Sequence, residues 1–174
     1  MKSIICDIIE VQKNIEQINY ILEGNQLCNN REKLIEKIRH ILEEYQAECL
    51  FSYINPTAEE IQTAKAELNV EIPGDYRWFL EQYGEGGLDG LEIYGFNRLR
   101  GATFVHKTLL YRTYGLPEQL IVIENGDEWK TCIDTRTGKI CLWSPGDTIG
   151  DVDIAYNDFL SYFYDELNNV IENL

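Results

Sequence analysis

At 174 residues, 44% of them hydrophobic and 11% aromatic, the chain suits one folded domain, able to bury on the order of 70% of the surface of its unfolded form; a disordered tail is excluded. Fifteen basic against thirty acidic residues leave a net charge of −15, a field that repels nucleic acid, attracts basic macromolecules and also serves plain solubility. The five cysteines, Cys6, Cys28, Cys49, Cys132 and Cys141, are odd in number and scattered without a C-x-x-C pair, which suggests reduced thiols rather than a disulfide framework or a zinc site.

The apolar start at Met1 is interrupted by Asp7 and Glu10 before a signal-peptide core can form, and no later run approaches a membrane span, so a cytoplasmic location is expected. Ile4, Ile8, Val11, Ile15, Ile18 and Leu22 recur at alternating spacings of four and three, the stripe of an amphipathic helix. That stripe has two readings: it packs on its own domain, or it is the seam of a homodimer or of a partner helix. Gly24-Asn25 is expected to end it, and Asn29 or Asn30 to cap a second, antiparallel helix carrying Leu34, Ile38, Ile41, Leu42 and Tyr45. Thr57, followed three residues later by Glu60, forms a capping box that opens a third helix, running to Leu68.

Ile72-Pro73 leads into a fourth helix, because proline lacks an N–H that the first turn leaves unpaired anyway. Tyr76, Phe79, Leu80 and Tyr83 share its buried face, while Arg77, Glu81 and Gln82 face water. Gly84 ends it, and the glycines Gly86 and Gly87 turn the chain into a strand at Leu91-Glu92-Ile93-Tyr94. Further strands are read at Thr103-Phe104-Val105, Gln119 to Ile123, Trp129 to Asp134 and Lys139 to Trp143, separated by Asn125-Gly126 and Thr137-Gly138 turns. The last two pair as a hairpin. Phe159, Phe163, Leu167, Val170 and Ile171 mark a closing amphipathic helix within Ala155 to Leu174. The whole is an α+β fold, an antiparallel sheet of mixed strand lengths packed against several helices.

The segment from Ile72 to Phe96, helix, glycine turn and strand, resembles the signature of the SMI1/KNR4 family, also called the SUKH superfamily. The helix from Pro56 to Leu68 before Ile72-Pro73 is similar to the family's preceding helix. Leu116-Pro117 through Ile123, the polar turn Glu124-Asn125-Gly126-Asp127-Glu128, and Trp129-Lys130-Thr131-Cys132-Ile133-Asp134 resemble the strand, turn and aromatic-x-x-cysteine strand that follow. Trp143 and Phe159-Leu160 match the remaining aromatic anchors. The likeness covers roughly residues 31 to 166. It implies one SUKH-like domain at 28–174, with residues 1–27 as an added helical extension.

Catalytic constellations are not indicated. His40 and His106 have no cysteine, serine or carboxylate at a catalytic spacing, and the Gly84–Asp89 loop follows a helix instead of the strand a dinucleotide site needs. Gly138-Lys139 lacks the upstream glycine of a phosphate loop, and Asp147, Asp151 and Asp153 are not spaced as a calcium loop. No enzymatic activity, cofactor or metal is expected. Charge is the stronger clue: residues 51–174 hold 9 basic and 21 acidic groups. The resemblance implies an immunity protein, binding and neutralising the C-terminal domain of a secreted or contact-dependent bacterial toxin, commonly a nuclease whose cleft is basic. The family's other branch implies an intracellular scaffold or regulatory binding module. The expected partner surface consists of loop carboxylates with aromatic anchors: Glu85, Asp89, Glu124, Asp127, Glu128, Asp147, Asp151 and Asp153, with Trp129 or Trp143. Packing or turn formation explains Trp129 and Trp143 equally well.

Overall fold

The computed structural model describes residues 24, 26–126 and 128–174. The chain forms two compact units, residues 1–37 and 38–174. The described residues 26–44 are one helix, α1, and Gly24 is helical as well. Asn29 and Asn30, expected as a cap, lie inside this helix, where backbone bonds already serve the amides that a cap would satisfy. The stripe from Ile4 to Leu22 and the antiparallel pairing expected of it lie outside the described residues. In the second unit α1 buries Ile38 and Leu42.

A single 3₁₀ turn, Gln46–Glu48, leads to strand β1 (Cys49–Phe51), followed by helices α2 (Ala58–Leu68) and α3 (Gly74–Tyr83). Strands β2 (Gly86–Leu88), β3 (Phe96–Asn97) and β4 (Gly101–Ala102) come next, then helix α4 (Thr103–Arg112). The chain finishes with β5 (Leu120–Asn125), β6 (Lys130–Asp134), β7 (Ile140–Trp143), β8 (Asp153–Tyr156) and helix α5 (Phe159–Ile171). This is an α+β fold, and among the described residues the strands form three antiparallel sheets: β1-β2, β3-β4 and the meander β5-β6-β7-β8.

Local chemistry sets the helix ends. The Thr57 hydroxyl accepts from the Glu60 amide at 3.1 Å and the Glu60 carboxylate accepts from the Thr57 amide at 2.7 Å, the reciprocal capping box read from the sequence. Asp158, in extended backbone, accepts from the Ser161 amide at 2.8 Å and starts α5. That cap places the helix start at Phe159 instead of Ala155, and the residues just before it form β8. α3 begins after Pro73 and stops at Gly84, with Tyr76, Phe79 and Leu80 fully buried as the spacing predicts and Tyr83, expected on the same face, half-buried.

The core is aromatic. Phe79 meets Phe163 of α5 with ring centroids 5.2 Å apart, Tyr76 meets Phe159 at 5.3 Å, and Tyr76 meets Phe104 of α4 edge-on at 5.7 Å. Each such ring removed from water stabilises by about 2–3 kcal/mol, and edge-to-face geometry adds about 1 kcal/mol per pair.

Two strand expectations are corrected. Thr103-Phe104-Val105 is the first turn of α4, not a strand. Phe104, Val105 and Thr108 recur at helical spacing and are buried together, so packing overrides the β-branched and aromatic composition. The strand after α3 is not Leu91–Tyr94 but Gly86–Leu88, and only Ile93 bridges back, to Gly86. A Cβ on Gly86 would stand 1.9 Å from the Leu50 carbonyl oxygen, so glycine lets this chain approach β1.

Candidate partner-binding surface

The β5–β6 hairpin carries most of the expected polar turn. Ile121 to Ile133, Val122 to Cys132 and Asn125 to Lys130 set its register, with an irregularity between Val122 and Glu124. Lys130 folds back at its tip: Nζ donates to the Gly126 carbonyl at 2.6 Å and lies 5.5 Å over the Tyr111 ring. The Tyr111 hydroxyl donates to Asn125 Oδ1 at 2.7 Å. The hairpin tip is thereby tied to the C-terminal end of α4.

A second tie runs to the loop after β7, where Ser144 Oγ donates to the Glu128 carbonyl at 3.2 Å. Trp143 anchors that loop from below. It is fully buried, packs on Tyr111 at 6.0 Å, and donates Nε1–H to the Asp147 carbonyl at 3.2 Å. The Asp147 carboxylate accepts from the Ser144 amide at 2.8 Å. Three segments are therefore tied together: the hairpin with Glu128 and Trp129 at its tip, the loop with Asp147, and the end of α4, through Tyr111. Trp129 is 43% exposed, Leu110 47% and Tyr114 59%, and the Tyr111 and Tyr114 rings lie 6.4 Å apart. Exposed aromatic side chains beside carboxylates form a hot-spot arrangement, with apolar area to bury and charge around it.

The expected residues divide between this surface and the fold's interior. Glu128 and Trp129 are exposed and brought together with the half-buried Asp147. Asp127 lies outside the described residues. Asp151 is exposed, and its carboxylate accepts from the Thr148 amide at 2.9 Å and hydroxyl at 2.6 Å; those bonds, the hydroxyl's first, hold its pKa below the ordinary value. Asp153 is exposed on β8, opposite Leu142. Glu124 is half-buried at the helix–sheet contact, accepting from Thr131 Oγ1 at 3.1 Å and from the Tyr162 hydroxyl. Burial first, and Glu124 second, push Tyr162 well above the ordinary tyrosine pKa.

Two expected contact groups are corrected because they are not at the surface. Trp143 is core. Glu85 is 2% exposed, and its carboxylate accepts from Arg100 Nη2, from Thr103 Oγ1 and from Asn97 Nδ2, the last at 3.3 Å. It fixes the β3–β4 hairpin and the start of α4. Asp89 is exposed, with φ of 25°, in the turn after β2, and its amide donates to the Glu48 carbonyl at 3.1 Å. Glu85 and Asp89 share no bond with the Glu128 group.

Leu110, Tyr111 and Tyr114 were absent from the expected site. Their signal was the spacing of Phe104, Thr108 and Tyr111, obscured by reading Thr103–Val105 as a strand. Elsewhere, Cys28, Cys49, Cys132 and Cys141 are free thiols. Burial, with Asp134 beside it, pushes the Cys141 thiol up to about 12, which suits a packed, inert side chain. Among the described residues no group of histidine, cysteine and carboxylate side chains could hold a metal, and no helix is long and apolar enough to cross a membrane.

The model of the SMI1-KNR4 cell-wall family, within the SUKH group, matches residues 32–168. That span contains α2 through most of α5, including the aromatic core, the meander and every described residue of the surface above. The chain belongs to the SMI1/KNR4 family of the SUKH superfamily.

Proposed function

We propose that this protein is an immunity protein that binds and neutralises a basic bacterial toxin domain, a nuclease by charge complementarity, and that it acts by occupying a surface of that domain rather than by catalysis. The observation that carries the reading is the exposure of Trp129 beside Glu128 on a hairpin that Tyr111 ties to the end of α4, within residues 51–174, which hold 9 basic and 21 acidic groups. Acidic fields speed encounter with basic clefts, and desolvated aromatic anchors slow dissociation. Family membership supports the same reading. Asp151 and Asp153 extend the negative field.

The test is co-purification with the toxin C-terminal domain encoded beside its gene, at low and high salt, followed by a nuclease assay on the complex. Binding with loss of nuclease activity, weakened as salt rises, is the expected result. A complex whose nuclease activity is intact, or no complex at either salt, moves the protein to the scaffold branch of the family.

A further inference from the structure

A cleft of about 620 Å³ lies between α2 and the β3–β4 hairpin with the start of α4. Its size is that of a ligand site, and Phe96, Ala64 and Val105 give it an apolar floor. The α2 wall presents Glu60, Thr63, Ala64 and Glu67, the i, i+3, i+4, i+7 face of that helix, with Glu59 at the rim. Glu60 is committed to the capping box. Glu59 and Glu67 are exposed, and among the described residues neither carboxylate has a cation partner.

The opposite wall carries Arg98 and His106, both exposed. Arg98 is unusual in so acidic a chain. Arg77, Arg100 and Arg136 each hold a carboxylate and Arg112 holds two carbonyls, whereas the Arg98 guanidinium has no partner among the described residues. Opposite charges thus line the two walls of an apolar-floored cleft without closing into ion pairs. A ligand that bridges the two walls satisfies both, through charge-assisted hydrogen bonds.

We infer that this cleft binds an extended peptide segment of mixed charge, its basic side chain on the Glu59 and Glu67 wall and its carboxylate on Arg98 and His106. The charge pattern selects this occupant. A purely basic segment meets Arg98, a purely acidic one meets Glu59 and Glu67, and a neutral one pairs with none of these three charges. The site shares no residue with the Trp129 surface, so the two readings stand or fall separately.

The probes are N-acetylated, amidated alanine peptides bearing one lysine and one glutamate, one to four residues apart, titrated into the full chain by calorimetry and by amide chemical-shift mapping. At least one spacing is expected to bind saturably, with shifts on residues 59–67, 96–98 and 105–106. Replacing either charged peptide residue by alanine, or making Arg98→Ala or Glu67→Ala, is expected to weaken binding about tenfold. Arg98→Glu is expected to transfer preference to a peptide with two lysines. These side chains are exposed, so the variants fold. The inference is overturned if singly charged peptides bind equally well, if the shifts fall elsewhere, or if no spacing gives saturable binding.

Discussion

The Arg100 guanidinium closes over the buried carboxylate of Glu85, and the same Nη2 reaches Glu92 at 3.1 Å. Glu85 is otherwise served by Thr103 and Asn97, neutral donors that cannot balance its charge. Removing the cation leaves a carboxylate in a nearly dry site, whereas removing the charge leaves only hydrogen bonds to rearrange.

Arg100→Ala is therefore expected to destabilise the fold by about 1–2 kcal/mol, below the range for a fully buried pair because Arg100 is itself 56% exposed. Glu85→Gln in the Arg100→Ala background should restore part of that loss. Urea denaturation of the four proteins of the double-mutant cycle measures the coupling. A loss in the double variant equal to the sum of the two single losses would show that the pair contributes no coupling energy.

A backbone contact gives the sharpest contrast among glycines. A Cβ on Gly95 would lie 1.7 Å from the Gly84 carbonyl oxygen, which accepts from the Phe96 amide at 3.0 Å, so the crossing of these two segments has no room for a methyl group. Gly95→Ala should cost more than about 2 kcal/mol, through a shifted backbone. Gly74, in the first turn of α3, meets nothing within 4 Å, and Gly74→Ala should be neutral or stabilise by up to about 1 kcal/mol through helix propensity. Thermal melts of the two variants separate the cases.

The pH dependence turns on Glu166 of α5. Burial raises its pKa above the ordinary 4.5, with the neighbouring Glu124 carboxylate adding to the shift. An acid whose folded pKa is raised binds more protons folded than unfolded between the two values, so stability falls as pH rises through that window. Glu166→Gln removes the penalty and keeps an acceptor for Asn169. It is expected to stabilise the protein at neutral pH, by under about 1 kcal/mol because the site is half-exposed, and to flatten the decline above pH 4.5. Denaturation midpoints across the acid range test the slope.

What could be read in advance followed from how local each signal was. The capping box of Thr57 and Glu60, the buried face of α3 and the β6–β7 pairing are each specified by residues within a few positions of one another, and all three stand in the structure as read. The helix at Thr103–Arg112 was missed because three consecutive strand-favouring residues mask a spacing that only tertiary packing on Tyr76 and Phe96 selects. Glu85 looked like a loop acid for the same reason. Its partners Asn97, Arg100 and Thr103 arrive from twelve to eighteen positions away, so nothing adjacent in sequence announced a buried carboxylate. The Trp129 surface was half legible: its hairpin lies in one stretch of chain, but α4 reaches it through Tyr111, whose hydroxyl bonds Asn125 fourteen positions away.

Charge reversal separates the surface groups that bind from those that build. Glu128→Lys, Asp151→Lys and Asp153→Lys together, joined by Asp127→Lys, reverse the charge at the exposed Glu128, Asp151 and Asp153 and at one further acidic residue, and should weaken capture of a basic toxin domain by at least about tenfold, mainly through the association rate, while the melting temperature barely moves. Trp129→Ala should instead speed dissociation, because an anchor is lost after encounter and not before it. Asp147→Ala is the contrast. Its carboxylate holds the Ser144 amide at 2.8 Å beside the Trp143 contact, so it should lower stability by about 1 kcal/mol whether or not a partner is present. Surface plasmon resonance at two salt concentrations, alongside melting curves, measures all three effects. Unaltered association by the charge-reversed protein would remove this face as the docking surface.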